Sequence, residues 1–184
     1  MATYQDTKVE DPRGLALLVP GVAYPVQMPQ MYFAKQVVLS HRYNVREMTW
    51  DTSMQWTPQA VRAEVEKALE GNPLPVLIVG KSIGSLASLL AAEDGYPAIW
   101  MTPVAERDDV VDAIGRNPAA QLAIGGTEDP HWNAEAAAQW PSHVRVVEFE
   151  GADHPLLVAG NVVRSAQIVA EYTKAMDEWL SALK

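Results

Sequence analysis

The stretch Val76-Leu77-Ile78-Val79-Gly80-Lys81-Ser82-Ile83-Gly84-Ser85-Leu86 decides the reading of this chain. Its opening apolar run, residues 76–79, has no polar alternation and predicts a parallel strand covered on both faces. Leu86, Leu89 and Leu90 follow at helical spacing, so the strand passes into a helix through Gly80-Lys81-Ser82-Ile83-Gly84. A serine held on a sharp strand-to-helix turn needs small residues two before and two after it, where strand and helix crowd together. Its hydroxyl then points out above the sheet. The helix that follows aims its first amides and its positive dipole end at the same spot, where the oxygen of an attacked carbonyl gains negative charge. The Ile83 amide is the natural donor. With eight serines and 11 glycines in 184 residues, roughly 0.03 chance occurrences of G-x-S-x-G are expected.

Two other readings compete for these residues. In one, the glycines merely permit a tight turn and Ser82 caps the helix. In the other, Gly80-Lys81-Ser82 is the tail of a phosphate-binding loop, G-x-x-x-x-G-K-[ST]. That loop would need its first glycine where Pro75 stands, and continuous strand leaves no turn of amides to cradle phosphate. Lys81 itself is expected to face solvent, where its charge would favour an acidic leaving group.

Outward from the turn, short runs rich in Val, Ile and Leu alternate with stretches of helical periodicity. Residues 15–20, 43–50, 76–79, 98–102, 122–125 and 144–149 read as six strands. Thr57 caps a crossover helix that starts at Pro58, buries Val61, Val65 and Leu69, and stops at Gly71. Val162, Ala166, Val169, Thr173, Met176, Leu180 and Leu183 mark the inner face of a long closing helix, with Lys174 and Lys184 suiting its C-terminal half. The expected fold is α/β: one doubly wound, mostly parallel sheet of about six strands with helices on both faces. Residues 13–184 form that domain, behind a polar segment over residues 1–12; no antiparallel strand is expected before Leu15.

A serine hydroxyl is a weak nucleophile without a base, and the base needs an orienting group. In a doubly wound sheet these must lie at the carboxyl ends of strands. His154 qualifies, because it follows the 144–149 strand through Glu150-Gly151-Ala152-Asp153. His41 and His143 precede strands and fall on the opposite edge. Gly125-Gly126-Thr127-Glu128-Asp129-Pro130 follows the 122–125 strand and offers Asp129 or Glu128 as the carboxylate; Asp129, stiffened by Pro130, is preferred. Asp153 reads as a turn residue. His131, beside the acidic pair, is a second polar group for the pocket. It lacks paired metal-ligand spacing with Asp129 and His154, so no metal and no cofactor is expected.

Ser, then Asp, then His is the chain order of the α/β-hydrolase superfamily, and the sequence resembles it over nearly its whole length. Gly80-Lys81-Ser82-Ile83-Gly84 resembles the nucleophile elbow, Gly126-Thr127-Glu128-Asp129 the acid loop, and Gly151-Ala152-Asp153-His154 the His loop. Val19-Pro20-Gly21-Val22-Ala23 matches the place of the second oxyanion-hole amide. By that resemblance the donor is Val22, or Ala23 if the register slips by one. Two features depart from the family. Pro20 stands where a His commonly precedes the oxyanion glycine, which removes a supporting side chain and keeps the backbone donors. No insertion between Thr102 and Asp129 is long enough for a cap, so the resemblance implies a lidless, minimal serine hydrolase.

The resemblance thus implies a carboxylesterase-like enzyme that cleaves an ester, thioester or lactone through a Ser82-His154-Asp129 triad and an acyl-enzyme. Strand-end residues Tyr24, Met28, Trp56, Pro103, Trp132 and Leu156 would form an apolar collar for a small to medium uncharged acyl substrate. The alternative is a non-catalytic ligand-binding or partner-binding module on the same fold. A net charge of −9 argues against nucleic acid as a partner. With no cysteine, a Cys nucleophile, a disulfide framework and thiolate metal sites are excluded. No apolar run approaches the roughly 20 residues that span a bilayer, and residues 1–12 hold no signal-peptide core, so a cytoplasmic protein is expected. Both a monomer and a homodimer fit these observations.

Overall fold

The computed structural model describes residues 2–51 and 53–183. Seven strands form one sheet in the order β1-β3-β2-β4-β5-β6-β7. They are β1 (Thr3–Thr7), β2 (Gly14–Val19), β3 (Tyr43–Thr49), β4 (Val76–Lys81), β5 (Ala98–Met101), β6 (Gln121–Gly126) and β7 (Val144–Phe149). All neighbours are parallel except β1, which pairs antiparallel with β3.

The edge strand β1 corrects the expectation that no antiparallel strand precedes Leu15. Its residues TYQDT lie exposed or half-buried, so they lack the apolar run that flags a covered strand. Backbone pairing to β3 and the Tyr4 hydroxyl on Glu64 hold it instead.

The parallel strands are joined by α1 (Pro29–Ser40), α2 (Pro58–Leu69), a 3₁₀ turn (Ser82–Ala87) leading into α3 (Ser88–Asp94), α4 (Asp108–Arg116) and the short α5 (Ala134–Ala137); α6 (Val162–Ala182) closes the chain. Thr57 caps α2 by accepting from the Ala60 amide, and Gly71 ends the exit turn at φ 70°.

Because side chains alternate across each strand, the core falls into two layers. Ala16, Leu18, Leu77, Val79, Ile99, Met101, Leu122 and Ile124 face α1 and α6. Leu17, Val19, Ile78, Trp100 and Ala123 face α2, α3 and α4. The buried face of α6 runs through Ser165, Ile168, Tyr172, Ala175, Met176, Trp179 and Leu180. The face read from the sequence is therefore offset in its first half: Val162 is exposed and Ala166 open, while Tyr172 and Trp179 carry the packing. Lys184 lies outside the described residues. Among the described residues no helix is long and apolar enough to cross a membrane.

The chain runs from β2 out to β3 and then crosses back to β4, so β2 and β4 flank a topological switch point. Loops leaving such neighbours diverge and leave a crevice at the carboxyl edge. The loop after β2 and the turn after β4 are those carrying Val22 and Ser82.

Candidate active site

Ser82 has φ 54°, a left-handed backbone conformation that costs a non-glycine residue on the order of 1 kcal/mol or more. The surrounding glycines make it possible. A Cβ on Gly84 would overlap the Val19 carbonyl, and one on Gly80 would stand 2.8 Å from the Trp100 ring and 2.9 Å from the Gly84 carbonyl. Strand β4 and the 3₁₀ turn thus close to backbone contact, which levers Ser82 out of the sheet plane. Ala23 (φ 53°), Thr102 (φ 43°) and Leu156 (φ 60°) share this conformation, and all follow strands at the same edge.

His154 Nε2 lies 2.8 Å from Ser82 Oγ, and its Nδ1 lies 2.8 Å from Asp129 Oδ2. A carboxylate only accepts, so Nδ1 carries the ring proton and Nε2 accepts from the serine hydroxyl. The Asp129 side chain is fully buried and also accepts from the His131 amide at 2.9 Å. Glu128, one residue earlier, is exposed.

The acid and His loops are locked together. Glu128 N donates to the Ala152 carbonyl at 3.0 Å, Gly151 N to Thr127 Oγ1 at 2.8 Å, and a side chain on Gly126 would overlap Ala152. Asp153 is the turn residue its position predicts: its Oδ1 accepts from the Leu157 amide at 2.7 Å. His41 and His143 stand at the opposite edge, bound to Asp177 and to the Asn117 carbonyl.

The loop after β2 packs directly on the serine turn, since a Cβ on Gly21 would lie 3.2 Å from Ser82 Cβ. Tyr24 N donates back to the Gly21 carbonyl, which closes a turn whose Val22 and Ala23 amides have no acceptor among the described residues. The Ile83 amide heads the 3₁₀ turn, where helical amides lack a partner within the helix. Trp50, just past the end of β3, braces this loop: its Nε1 donates to the Pro20 carbonyl at 2.6 Å.

An apolar cleft of about 260 Å³ opens beside this loop, lined by Val22, Tyr24, Pro25, Met48, Trp50 and Trp56. Trp50 and Trp56 meet edge to face at 5.3 Å. Of the six collar residues, Tyr24 and Trp56 line it. Met28 is exposed at the start of α1, and Pro103 is buried behind β5 beside Val104, whose amide donates to Ser85 Oγ.

Two collar residues are corrected. Trp132 sits over Gly125, packs on Trp140 and donates to Glu148, towards β7. Leu156 is buried in the α1/α6 layer, where its left-handed backbone turns the side chain inward.

Lys81 is a third correction. Its side chain is buried, with Nζ donating to the His154 carbonyl at 3.3 Å over the Tyr24 ring. Burial pulls its ammonium down to about 7, against a smaller upward pull from Asp129 and Asp153. Burial also raises the Tyr24 phenol. His131, paired with Glu106, meets the His154 ring edge to face at 4.9 Å. Among the described residues no group of three His, Asp or Glu side chains is arranged to hold a metal ion.

No protein-family model matches the chain, and no curated protein matches it in sequence. Solved structures do. Dienelactone hydrolase from Anabaena variabilis superposes with a TM-score of 0.77 at 17% identity, over 99% of this chain and 92% of its own. Est1E from Butyrivibrio proteoclasticus, solved with ferulic acid bound, gives 0.75 at 11% identity over 98% and 94%. XC6422 from Xanthomonas campestris, described as a serine hydrolase without a lid, gives 0.74 at 15% identity over 98% and 88%. The chain therefore has the α/β-hydrolase fold in its minimal, lidless form.

Proposed function

We propose that the protein is a serine hydrolase that cleaves an ester, thioester or lactone of a small to medium uncharged acyl group. The observation carrying this reading is the unbroken hydrogen-bond series from Ser82 Oγ through His154 to buried Asp129. Ser82 Oγ attacks the carbonyl carbon while His154 Nε2 takes its proton. Asp129 holds the imidazolium and its tautomer. The amides of Ile83 and of Val22 or Ala23 bind the developing oxyanion. His154 then protonates the leaving alkoxide, thiolate or ring oxygen. Water, deprotonated by His154, attacks the acyl-serine, and proton return to Oγ frees the acid.

The apolar cleft supports an uncharged acyl group. It sits against the oxyanion turn, and at about 260 Å³ it is smaller than the roughly 300–1,000 Å³ of drug-sized ligand sites. Hydrolysis of p-nitrophenyl esters of graded acyl length tests the reading. Turnover is expected for short and medium chains and absent in Ser82→Ala. Equal turnover by that variant removes Ser82 from the chemistry.

A further inference from the structure

Beneath the His154 loop lies a buried polar cluster that no step of the acyl transfer uses. Lys81 ends β4 with only 1% of its surface exposed, and its ammonium has no carboxylate in ion-pair contact among the described residues. Its one hydrogen-bond acceptor among the described residues is the backbone carbonyl of His154, 3.3 Å away. Gln30, fully buried in the first turn of α1, donates its Nε2 to that same carbonyl at 3.3 Å. The Lys81 stem runs under the β2 loop, where a Cβ on Gly21 would meet its Cδ at 3.3 Å. The residue that leads into the serine turn thus reaches both the β2 loop and the His loop.

Stability alone does not explain a lysine here. An ammonium taken out of water loses its hydration, and without a carboxylate beside it little offsets that loss. Here it has one hydrogen bond and the Tyr24 ring, 4.8 Å from Nζ. A methionine has similar length and buries without that cost.

We propose that Lys81 is a positioning residue for the acyl transfer: with Gln30 it pins the His154 carbonyl, so that the serine turn grips its base at two points. Ser82 Oγ holds the ring, and Lys81 Nζ, one residue earlier, holds the backbone behind it. The inference rests on the serine-hydrolase reading.

The test is the rate of fluorophosphonate labelling at one fixed pH in the wild type, Lys81→Met and Lys81→Arg, with the folded fraction followed by circular dichroism. Wild type is expected to label. Lys81→Met should label at least about tenfold more slowly, because displacement of a catalytic group by a fraction of an ångström carries losses of that order. Lys81→Arg, which keeps charge and donors, should recover most of the rate. If Lys81→Met does not fold, Gln30→Leu removes the second donor alone and should slow labelling several-fold. A wild-type rate in the folded Met or Leu variant overturns the inference. So does a Met variant slowed only in proportion to its unfolded fraction, or a folded Arg variant as slow as the Met variant. A folded wild type that never labels overturns the serine-hydrolase reading beneath it, and the two failures are thereby distinct.

Discussion

His154 Nε2 and Ser82 Oγ lie 2.8 Å apart although 72 residues separate them in the chain. Nothing local brings them together. The pairing exists because β4 and β7 both end at the carboxyl edge of a parallel sheet. The acid loop after β6 then clamps the His loop through Glu128, Thr127 and Gly126.

The same geometry separates two adjacent carboxylates. Asp129→Asn should keep the fold and lower kcat by roughly 10³–10⁴-fold, since an amide at this position favours the wrong imidazole tautomer. Glu128→Gln, on an exposed side chain, should leave kcat within about twofold. Steady-state kinetics of both variants on one ester decides it, and the reverse ranking would move the acid to Glu128.

Backbone contact at the serine turn predicts an intolerant glycine. Gly84→Ala forces a methyl group into the Val19 carbonyl, whose strand leads into the Val22 turn. We expect a stability loss of about 1–3 kcal/mol in urea melts. Labelling should fall further than the unfolded fraction accounts for, because the serine turn and the Val22 turn are pushed apart.

Trp56 is half-buried in the apolar cleft and packs on Trp50 rather than on the sheet. Trp56→Ala should lengthen the cleft. The ratio of kcat/KM for octanoyl over butanoyl esters is expected to rise about tenfold, the scale of a few methylenes gaining apolar contact. An unchanged ratio would place the acyl group elsewhere.

Lys81 makes stability depend on pH. Its folded pKa of about 7 lies below the ordinary lysine value near 10.5, so between these the unfolded chain binds a proton that the folded one does not. Stability from this residue must rise with pH across that window, by at most about 1.4 kcal/mol per unit. Urea melts at about pH 7.5 and 9.5 should show the wild type gaining roughly 2 kcal/mol relative to Lys81→Met. Parallel changes in the two proteins would mean that the ammonium is not held in a desolvated place.

Much of this was legible in the sequence, and the misses have physical causes. The strand-turn-helix around Ser82 could be read because a serine between two glycines after an apolar run has few other uses. His154 and Asp129 could be read because parallel strands point their ends one way. As a turn residue Lys81 would face solvent, but it belongs to the strand. Strand β4 runs through it, and the period of two from Leu77 and Val79 carries it to the α1/α6 face. Trp132 and Leu156 follow strands as cleft residues would, but the space over Gly125 and an inward-turning backbone claim them for packing. The polar edge strand β1 left no apolar signal, since its hold is backbone pairing.

The central claim is that Ser82 is a nucleophile activated by His154. Intact mass spectrometry after exposure to a fluorophosphonate, with peptide mapping of the adduct, tests it most directly. The account predicts one adduct per chain on Ser82, slowed by at least about a thousandfold in His154→Ala and absent in Ser82→Ala. A folded wild type that takes no adduct, or one that takes it on another residue and keeps it in Ser82→Ala, would contradict it.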